Sequence, residues 1–122
     1  MAHKIETIRD NLVKVTFIGD RNEADIRAFI QDFQPYLDAV TVDNSLNVLF
    51  YSSRREGQLS PGIRRAYADI YKDPRLGHIG VCHVKPAIRV FATFLMKATG
   101  RQNIGFFDTE EEALAWLDKG GK

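Results

Sequence analysis

The residues best suited to chemistry are basic and hydroxyl side chains at the ends of two predicted strands and at the start of one predicted helix. They are Ser52, Ser53, Arg54, Arg55, His83, Lys85 and Arg89. In open α/β sheets, ligands bind at the carboxyl ends of the strands. Helix amides and basic side chains favour phosphate or carboxylate there. The pattern predicts a small-anion site. The alternative is a polar loop with solvated charges, because the sequence has no glycine-rich phosphate loop.

Cys82 and His83 are the one pair that suggests a nucleophile. Adjacent residues of a strand point to opposite faces, so the thiol and the imidazole would not share the hydrogen bond that such a pair needs. We expect Cys82 to be a buried structural residue. His3, expected at a mobile terminus, His78 and His83 show no metal-ligand spacing. The sequence therefore predicts no catalytic residue, no metal site and no cofactor.

Length and composition favour one globular domain over residues 1–122, which we expect to be cytoplasmic. The chain is 44% hydrophobic and 27% charged, which is typical of globular proteins. Its 17 basic and 16 acidic residues give no electrostatic case for nucleic acid. The single cysteine excludes an intrachain disulfide and favours a reducing compartment. The N-terminus lacks the apolar core of a signal peptide, and no segment is apolar for long enough to span a membrane.

The strands that must position these residues alternate with helices. We predict strands at residues 4–10, 12–18, 47–51, 76–84 and 104–107. Residues 39–42 form either a further short strand or the approach to one. The first two strands form a hairpin, with the first at the sheet edge. Strands joined by helices pair in parallel with right-handed crossovers. The predicted fold class is therefore α/β, a mostly parallel mixed sheet with an antiparallel N-terminal edge strand and about four helices.

The first two helices have clear start signals. Asn22 or Asp20 caps the first helix, and Pro35 is expected to disturb its end. Ser60 caps the second helix, with Pro61 at the first helical position. Their apolar stripes are Ile26, Phe29, Ile30, Phe33 and Leu37 in the first helix, and Ile63, Ala66, Tyr67, Ile70 and Tyr71 in the second. Both helices are therefore predicted to cover the sheet.

The last helix begins with an acidic first turn. Thr109 and Glu112 resemble a capping box, and Asp108 with Glu111 is the alternative register. Glutamates 110–112 lie at the N-terminal end of the helix, where negative side chains interact favourably with the positive end of the helix dipole. A catalytic carboxylate pair is therefore not needed to explain them. The residues predicted to pack inward are Ala113, Trp116 and Leu117.

The third helix, between Pro86 and Gly100, carries more apolar residues than one core-facing stripe needs. Its core stripe is Ile88, Phe91, Ala92 and Leu95. A second line holds Val90, Phe94 and Ala98, and Met96 widens the apolar surface. A helix that is apolar nearly all round is deeply buried or meets a partner. We predict an interface at Val90, Phe94, Met96 and Ala98 for a homodimer, another protein or an apolar ligand. The alternative is coverage by neighbouring helices.

Two stretches resemble the C-terminal part of bacterial SpoIIAA-like proteins of the STAS superfamily. They are PAIRVF through KATG at residues 86–100, and FFDTEEEALAWL at residues 106–117. The element order fits this family along the whole chain. The resemblance implies a mixed sheet with an antiparallel edge and helices packed against it. It also implies a non-catalytic protein that acts through partners.

The resemblance has one departure, at the phosphorylation motif. Anti-sigma factor antagonists of the family are phosphorylated in an Asp-Ser-Ser/Thr-Gly motif at the start of the second helix. The corresponding stretch here is LSPGI at residues 59–63, with no aspartate and with Pro61 at the phosphoacceptor place, so Ser60 would accept phosphate only in a shifted register. We therefore predict a STAS-like interaction or regulatory module without a recognisable phosphoacceptor motif. The alternative is a binder of a small anionic or lipid-like ligand at the carboxyl ends of the central strands.

Overall fold

Five strands form one sheet in the computed structural model, which describes residues 3–17, 22–52, 60–83 and 86–121. The strands are β1 (His3–Arg9), β2 (Leu12–Phe17), β3 (Leu46–Ser52), β4 (Leu76–Cys82) and β5 (Ile104–Phe107). They lie side by side in chain order. β1 is antiparallel to β2, and every later pair is parallel. The predicted mixed α/β sheet with an antiparallel N-terminal edge is confirmed.

Four helices connect or follow these strands within the described part of the chain. They are α1 (Glu23–Asp38), α2 (Pro61–Tyr71), α3 (Pro86–Thr99) and α4 (Glu110–Asp118). The N-caps are Asn22, Ser60 and Thr109, so the alternative register at Asp108 is not the one adopted. Each cap side chain accepts a hydrogen bond from a first-turn backbone N–H, which satisfies a donor that the helix itself leaves free.

The structure decides two local expectations, at Pro35 and at residues 39–42. α1 continues through Pro35 to Asp38, because a proline in the last turn removes one hydrogen bond while its own carbonyl still accepts from Ala39 N–H at 3.1 Å. Residues 39–42 form the approach to β3 and no strand of their own. The Asn44 N–H bonds Thr41 there, which closes a turn, and Val42 is 59% exposed. Local turn bonding prevails over the β-branched composition of this segment.

The helices divide unequally between the two faces of the sheet. Right-handed crossovers that all advance in one direction place α1, α2 and α3 on the same face. The larger core lies there, between strand residues such as Val15 and Val48 and helix residues such as Phe29 and Leu95. α4 follows the last strand and covers the opposite face. The core of that face consists of Leu12, Leu49, Cys82, Ala113 and Leu117, with partly buried neighbours around them.

Candidate apolar ligand site

A cavity of about 140 Å³ lies between the sheet and the helices of the three-helix face. Phe17 and Phe50 contribute to its wall from the sheet, Phe29 from α1, Tyr67 from α2 and Leu95 from α3. The described lining residues are aliphatic or aromatic except for Cys82, which borders the cavity at the end of β4 although it belongs to the α4 core. None of them carries a charge. The cavity is therefore apolar along its length.

The helices over the cavity bury different numbers of side chains. α1 places four large residues in the core, whereas α3 buries only Ala92 and Leu95. Ala92 also lines the cavity, and its single methyl group leaves space that a larger side chain would occupy. The small side chain of Ala92 is therefore the sequence feature that is consistent with a cavity beneath α3.

Aromatic rings form the firmest part of the wall. The rings of Phe17 and Phe50 are stacked with centroids 5.8 Å apart. Phe29 meets both rings edge-on, at 5.1 Å and 6.0 Å. Such mutually oriented rings fix one another, and each presents a flat apolar surface. This part of the cavity is shaped before any ligand arrives.

The polar groups next to the cavity are already paired. Tyr71 lines the cavity, and its hydroxyl donates a hydrogen bond to Asn103 Oδ1. Asn103 is 7% exposed, and its Nδ2 donates to the carbonyl of Gly77 at 2.6 Å. Arg101 donates to the carbonyl of Tyr71 at 2.8 Å and lies over its ring. Burial raises the pKa of Tyr71, so this hydroxyl stays neutral and bonded.

Size and lining together define what the cavity can hold. An engineered apolar cavity of about 150 Å³ stays dry and binds benzene, and the space here is of similar volume, about 140 Å³. A charged group would lose its hydration without gaining a partner among the described lining residues. The site therefore suits a neutral ring or a short stretch of hydrocarbon.

The predicted anion-binding residues do not form one described cluster. Ser53, Arg54, Arg55 and Lys85 lie outside the described residues, and Ser52 ends β3. The His83 ring meets the Tyr51 ring edge-on at 5.2 Å, on the face that α4 covers. The Arg89 guanidinium lies 4.9 Å from the centre of the Phe106 ring. Strand alternation places Phe106 on the opposite face from Phe107, which packs in the α4 core. His83 and Arg89 therefore contact rings on different faces of the sheet.

Cys82 is buried, as predicted, and lies at the end of β4. Its thiol is 3.5 Å from the carbonyl oxygen of Thr109. Burial, followed by the nearby charge of Glu110, raises the pKa of the thiol to about 11. Its neighbour His83 is exposed and has a left-handed backbone with φ of 58°. The thiol is therefore neutral at physiological pH, whatever the position of the imidazole.

His3 differs from its expectation. It lies within β1, is 7% exposed, and packs edge-on against Phe29. Its Nε2 is 2.7 Å from Asp32 Oδ2, so the ring ties the edge strand to α1. The prediction of a mobile histidine was wrong because pairing of β1 with β2 carries the N-terminus into the sheet. The described residues contain no group of three or more side chains placed to hold a metal ion.

The glutamates of the last helix lie in its first turn, as predicted. The Glu110 carboxylate forms an ion pair with Lys14 of β2. Lys14 also lies 5.3 Å from the centre of the Tyr51 ring. Thr109 donates from its hydroxyl to Glu112 at 3.0 Å. These contacts hold the start of α4 against the sheet, which is a structural role.

Ser60 lies where the family resemblance implies the phosphorylation segment, at the start of α2. Its Oγ accepts a hydrogen bond from the Ile63 N–H at 3.3 Å, and Pro61 occupies the first helical position. The hydroxyl oxygen therefore already serves the helix as a cap. Phosphorylation of Ser60 stays a prediction.

The predicted interface residues of α3 separate into two groups. Val90 and Phe94 are 70% and 63% exposed, and Ala98 is exposed one turn further on. Met96 is partly buried and packs against the larger core, so it does not belong to this outward line. Neighbouring helices do not cover Val90 and Phe94 within the described part of the protein.

The cavity is the feature that sequence reasoning missed. Its lining residues were predicted only as core, because periodicity identifies a buried face but not how tightly that face is filled. The available signal in the sequence was a small residue, Ala92, in the stripe of α3 together with two tyrosines in the stripe of α2.

No family model matches this sequence, and no curated protein matches it either. Within the described ranges, no helix has the length and apolarity needed to cross a bilayer.

Proposed function

We propose that this protein is a non-catalytic binding protein that holds a small neutral apolar ligand between its sheet and helices α2 and α3. The observation that carries the proposal is the cavity of about 140 Å³ with an uncharged lining of aromatic and aliphatic side chains. The cavity lies along the sheet from Phe17 and Phe50, near the carboxyl ends of their strands, to Leu76 at the start of β4. Of the two ligand classes predicted from the sequence, the proposal retains the lipid-like ligand and not the small anion.

The family proposal is that the chain is a SpoIIAA-like member of the STAS superfamily with a regulatory role in the cytoplasm. The mixed sheet and the helices packed on it support this proposal, together with the two stretches at residues 86–100 and 106–117. A ligand-dependent regulator needs no catalytic residue of its own. A member without the family's phosphoacceptor motif would respond to ligand occupancy in place of phosphorylation.

The experiment compares small neutral apolar compounds with anionic compounds, on protein from which copurified ligands have been removed. Thermal unfolding and ¹⁵N-edited NMR are recorded with benzene, indole, cyclohexane, octanoate and inorganic phosphate. We expect the neutral ring compounds to raise the melting temperature and to shift resonances of α3 and β3, since binding to the native state stabilises it. Shifts with phosphate alone, or with none of the compounds, would refute the apolar site.

Two variants of α3 supply the matched control. Ala92→Leu places a larger side chain at a lining position, and Ala98→Leu adds the same bulk on the exposed line of the same helix. The first variant should lose ligand binding while remaining folded, because it fills existing space. The second should bind as the parent does. Equal binding by both variants would place the ligand elsewhere.

A second candidate function is protein–protein contact through α3, either as a homodimer or with a different protein. The exposure of Val90 and Phe94 favours it, since large apolar side chains on a helix face are typical anchors of interfaces. Light scattering after size exclusion tests self-association, with Phe94→Glu as the disrupting variant. A dimer that becomes a monomer on this substitution would support the homodimer. A monomeric parent would exclude it at the concentrations used.

A further inference from the structure

The outward face of α3 carries a short apolar line that the fold does not use. Val90 and Phe94 are one turn apart and are 70% and 63% exposed, and Ala98 continues the line. On the opposite side of the helix, Ala92 and Leu95 face the core. The exposed line is therefore separate from the cavity, although both belong to the same helix.

The charged residues of α3 and β5 are of one sign. From residue 86 to residue 107 the sequence contains no aspartate or glutamate. Lys97 is exposed, three residues after Phe94 and seven after Val90, so it lies on the same side of the helix. Arg89 is also exposed and lies at the β5 side, against the Phe106 ring. We call Arg89, Val90, Phe94, Lys97 and Ala98 the α3 strip.

We propose that the α3 strip docks an acidic amphipathic segment of a protein partner. This inference rests on the second function proposed above and names the chemistry of its partner. Val90 and Phe94 supply apolar anchors, and Lys97 and Arg89 match carboxylates at the rim of the partner. Complementary charges at a rim speed association and reject partners of the wrong sign.

Two other occupants fit the strip less well. A second copy related by a twofold axis would bring one strip against another, which places lysine near lysine without a carboxylate from α3 between them. A bilayer surface favours a helix with a broad apolar face. Here Ala92 and Leu95 are committed to the protein's own core, which leaves Val90 and Phe94 as the large outward side chains of the helix.

The test is a selection of peptides displayed on phage against the immobilised full-length protein. Counter-selection uses the double variant Val90→Ser, Phe94→Ser, whose substitutions lie on the surface and leave the core residues unchanged. Circular dichroism verifies that the variant is folded. The peptides recovered should combine two apolar residues at helical spacing with aspartate or glutamate. Basic or charge-free sequences, or no enrichment over the counter-selection variant, would overturn the proposal.

Binding of the recovered peptides is then measured by fluorescence polarisation. Phe94→Ser should weaken binding by about tenfold or more, as expected for an anchor residue. Lys97→Glu should also weaken peptide binding, and its effect should be larger at low salt than at high salt, because salt screens the interaction between exposed charges. Val42→Ser is the matched control, since Val42 is also exposed, at 59%, but lies in the segment before β3. An equal effect of all three substitutions would refute the strip as the docking surface.

Parallel measurements separate the alternatives. Cosedimentation with phosphatidylglycerol vesicles, lost in Phe94→Ser, would identify a membrane surface and overturn the protein partner. A dimer abolished by the same substitution would identify a second copy and also overturn it. Neither result affects the cavity, because ligand binding is measured separately with Ala92→Leu. Failure of this inference is therefore distinguishable from failure of the proposed ligand function.

Discussion

Cys82 shows how the surroundings of one residue decide its chemistry. The side chain is fully buried, and its thiol faces the carbonyl oxygen of Thr109. Glu110, in the first turn of α4, adds a negative charge nearby, which further disfavours the thiolate. A reactive cysteine requires the reverse, an exposed thiol beside positive charge. Cys82 therefore contributes packing to the α4 face and no nucleophile.

Native Cys82 should react very slowly with a disulfide reagent such as Ellman's reagent. With a thiol pKa of about 11, only about one molecule in a thousand carries the thiolate at pH 8, and burial limits access as well. The rate of colour release, followed in buffer and in denaturant, measures this. Cys82→Ser supplies the blank. A native rate equal to the rate in denaturant would contradict the buried position.

Arg75 joins the turn between α2 and β4 to the end of α1 through two carboxylates. It donates to Asp73, beside it in the turn before β4, at 2.7 Å and to Asp38 at the end of α1 at 3.0 Å. The hydrogen bond from Arg75 lowers the pKa of Asp73, and hydrogen bonds from Gln34 and Arg75 lower the pKa of Asp38. A carboxylate with a lowered folded-state pKa stabilises the fold above its unfolded pKa. That contribution disappears as the pH falls through the folded-state pKa.

Arg75→Gln should therefore make the free energy of unfolding less dependent on pH in the acidic range. The parent should lose stability as the pH falls below about 4, near the unfolded pKa of aspartate. The variant should lose less over the same range, because its carboxylates have pKa values closer to those of the unfolded chain. Urea unfolding between pH 2.5 and 7 measures both. Parallel curves for the two proteins would show that these carboxylates are not coupled to folding.

At the scale of elements, α4 packs closely against the sheet at Gly80. A Cβ atom at this position would lie 3.3 Å from the Ala113 Cβ and 3.5 Å from Leu117 Cδ1. The absence of a side chain therefore lets the helix rest directly on β4. A larger residue would lift α4 away from Leu49 and Cys82, which share its core.

Substitutions at Gly80 should lower stability in proportion to their size. Gly80→Ala requires neighbours to shift by a few tenths of an ångström, whereas Gly80→Val should cost about 1–3 kcal/mol through overpacking. Urea unfolding followed by circular dichroism measures the difference. A valine variant as stable as the alanine variant would mean that α4 adjusts its position freely.

The sequence predicted elements well where local chemistry decides them. Asn22, Ser60 and Thr109 are caps because each side chain bonds a backbone amide three residues away. The burial of His3 was missed because it depends on contact with Phe29 and Asp32, far along the chain. The cavity was missed for a related reason. The depth at which α3 seats is set by all the side chains between the helix and the sheet at once.

At the scale of the whole molecule, β3 is the centre of the structure. It pairs with β2 on one side and with β4 on the other. Val48 faces the three-helix core and Leu49 faces the α4 core, and both are fully buried. β5, by contrast, is a four-residue strand at the sheet edge. Resistance to local opening should therefore fall from the centre of the sheet towards β5 and α3.

Hydrogen exchange should follow this gradient. The amides of β3 should exchange only through global unfolding, whereas those of α3 should exchange through smaller openings above the cavity. A ring compound bound in the cavity should slow exchange in α3 and leave β3 unchanged. Mass spectrometry of peptic fragments measures both regions in one experiment. Exchange in α3 as slow as that in β3 without ligand would contradict this gradient.

The side-by-side order of the strands has a consequence for biosynthesis. Because each strand pairs with the one made just before it, the sheet can grow in the direction of translation, with few long loops to close. The three-helix face can likewise assemble while the chain emerges. The opposite face waits for α4, so Leu12, Leu49 and Cys82 stay uncovered until residues 110–118 leave the ribosome. Nascent chains stalled before residue 110 would expose this apolar surface and be the species that chaperones retain.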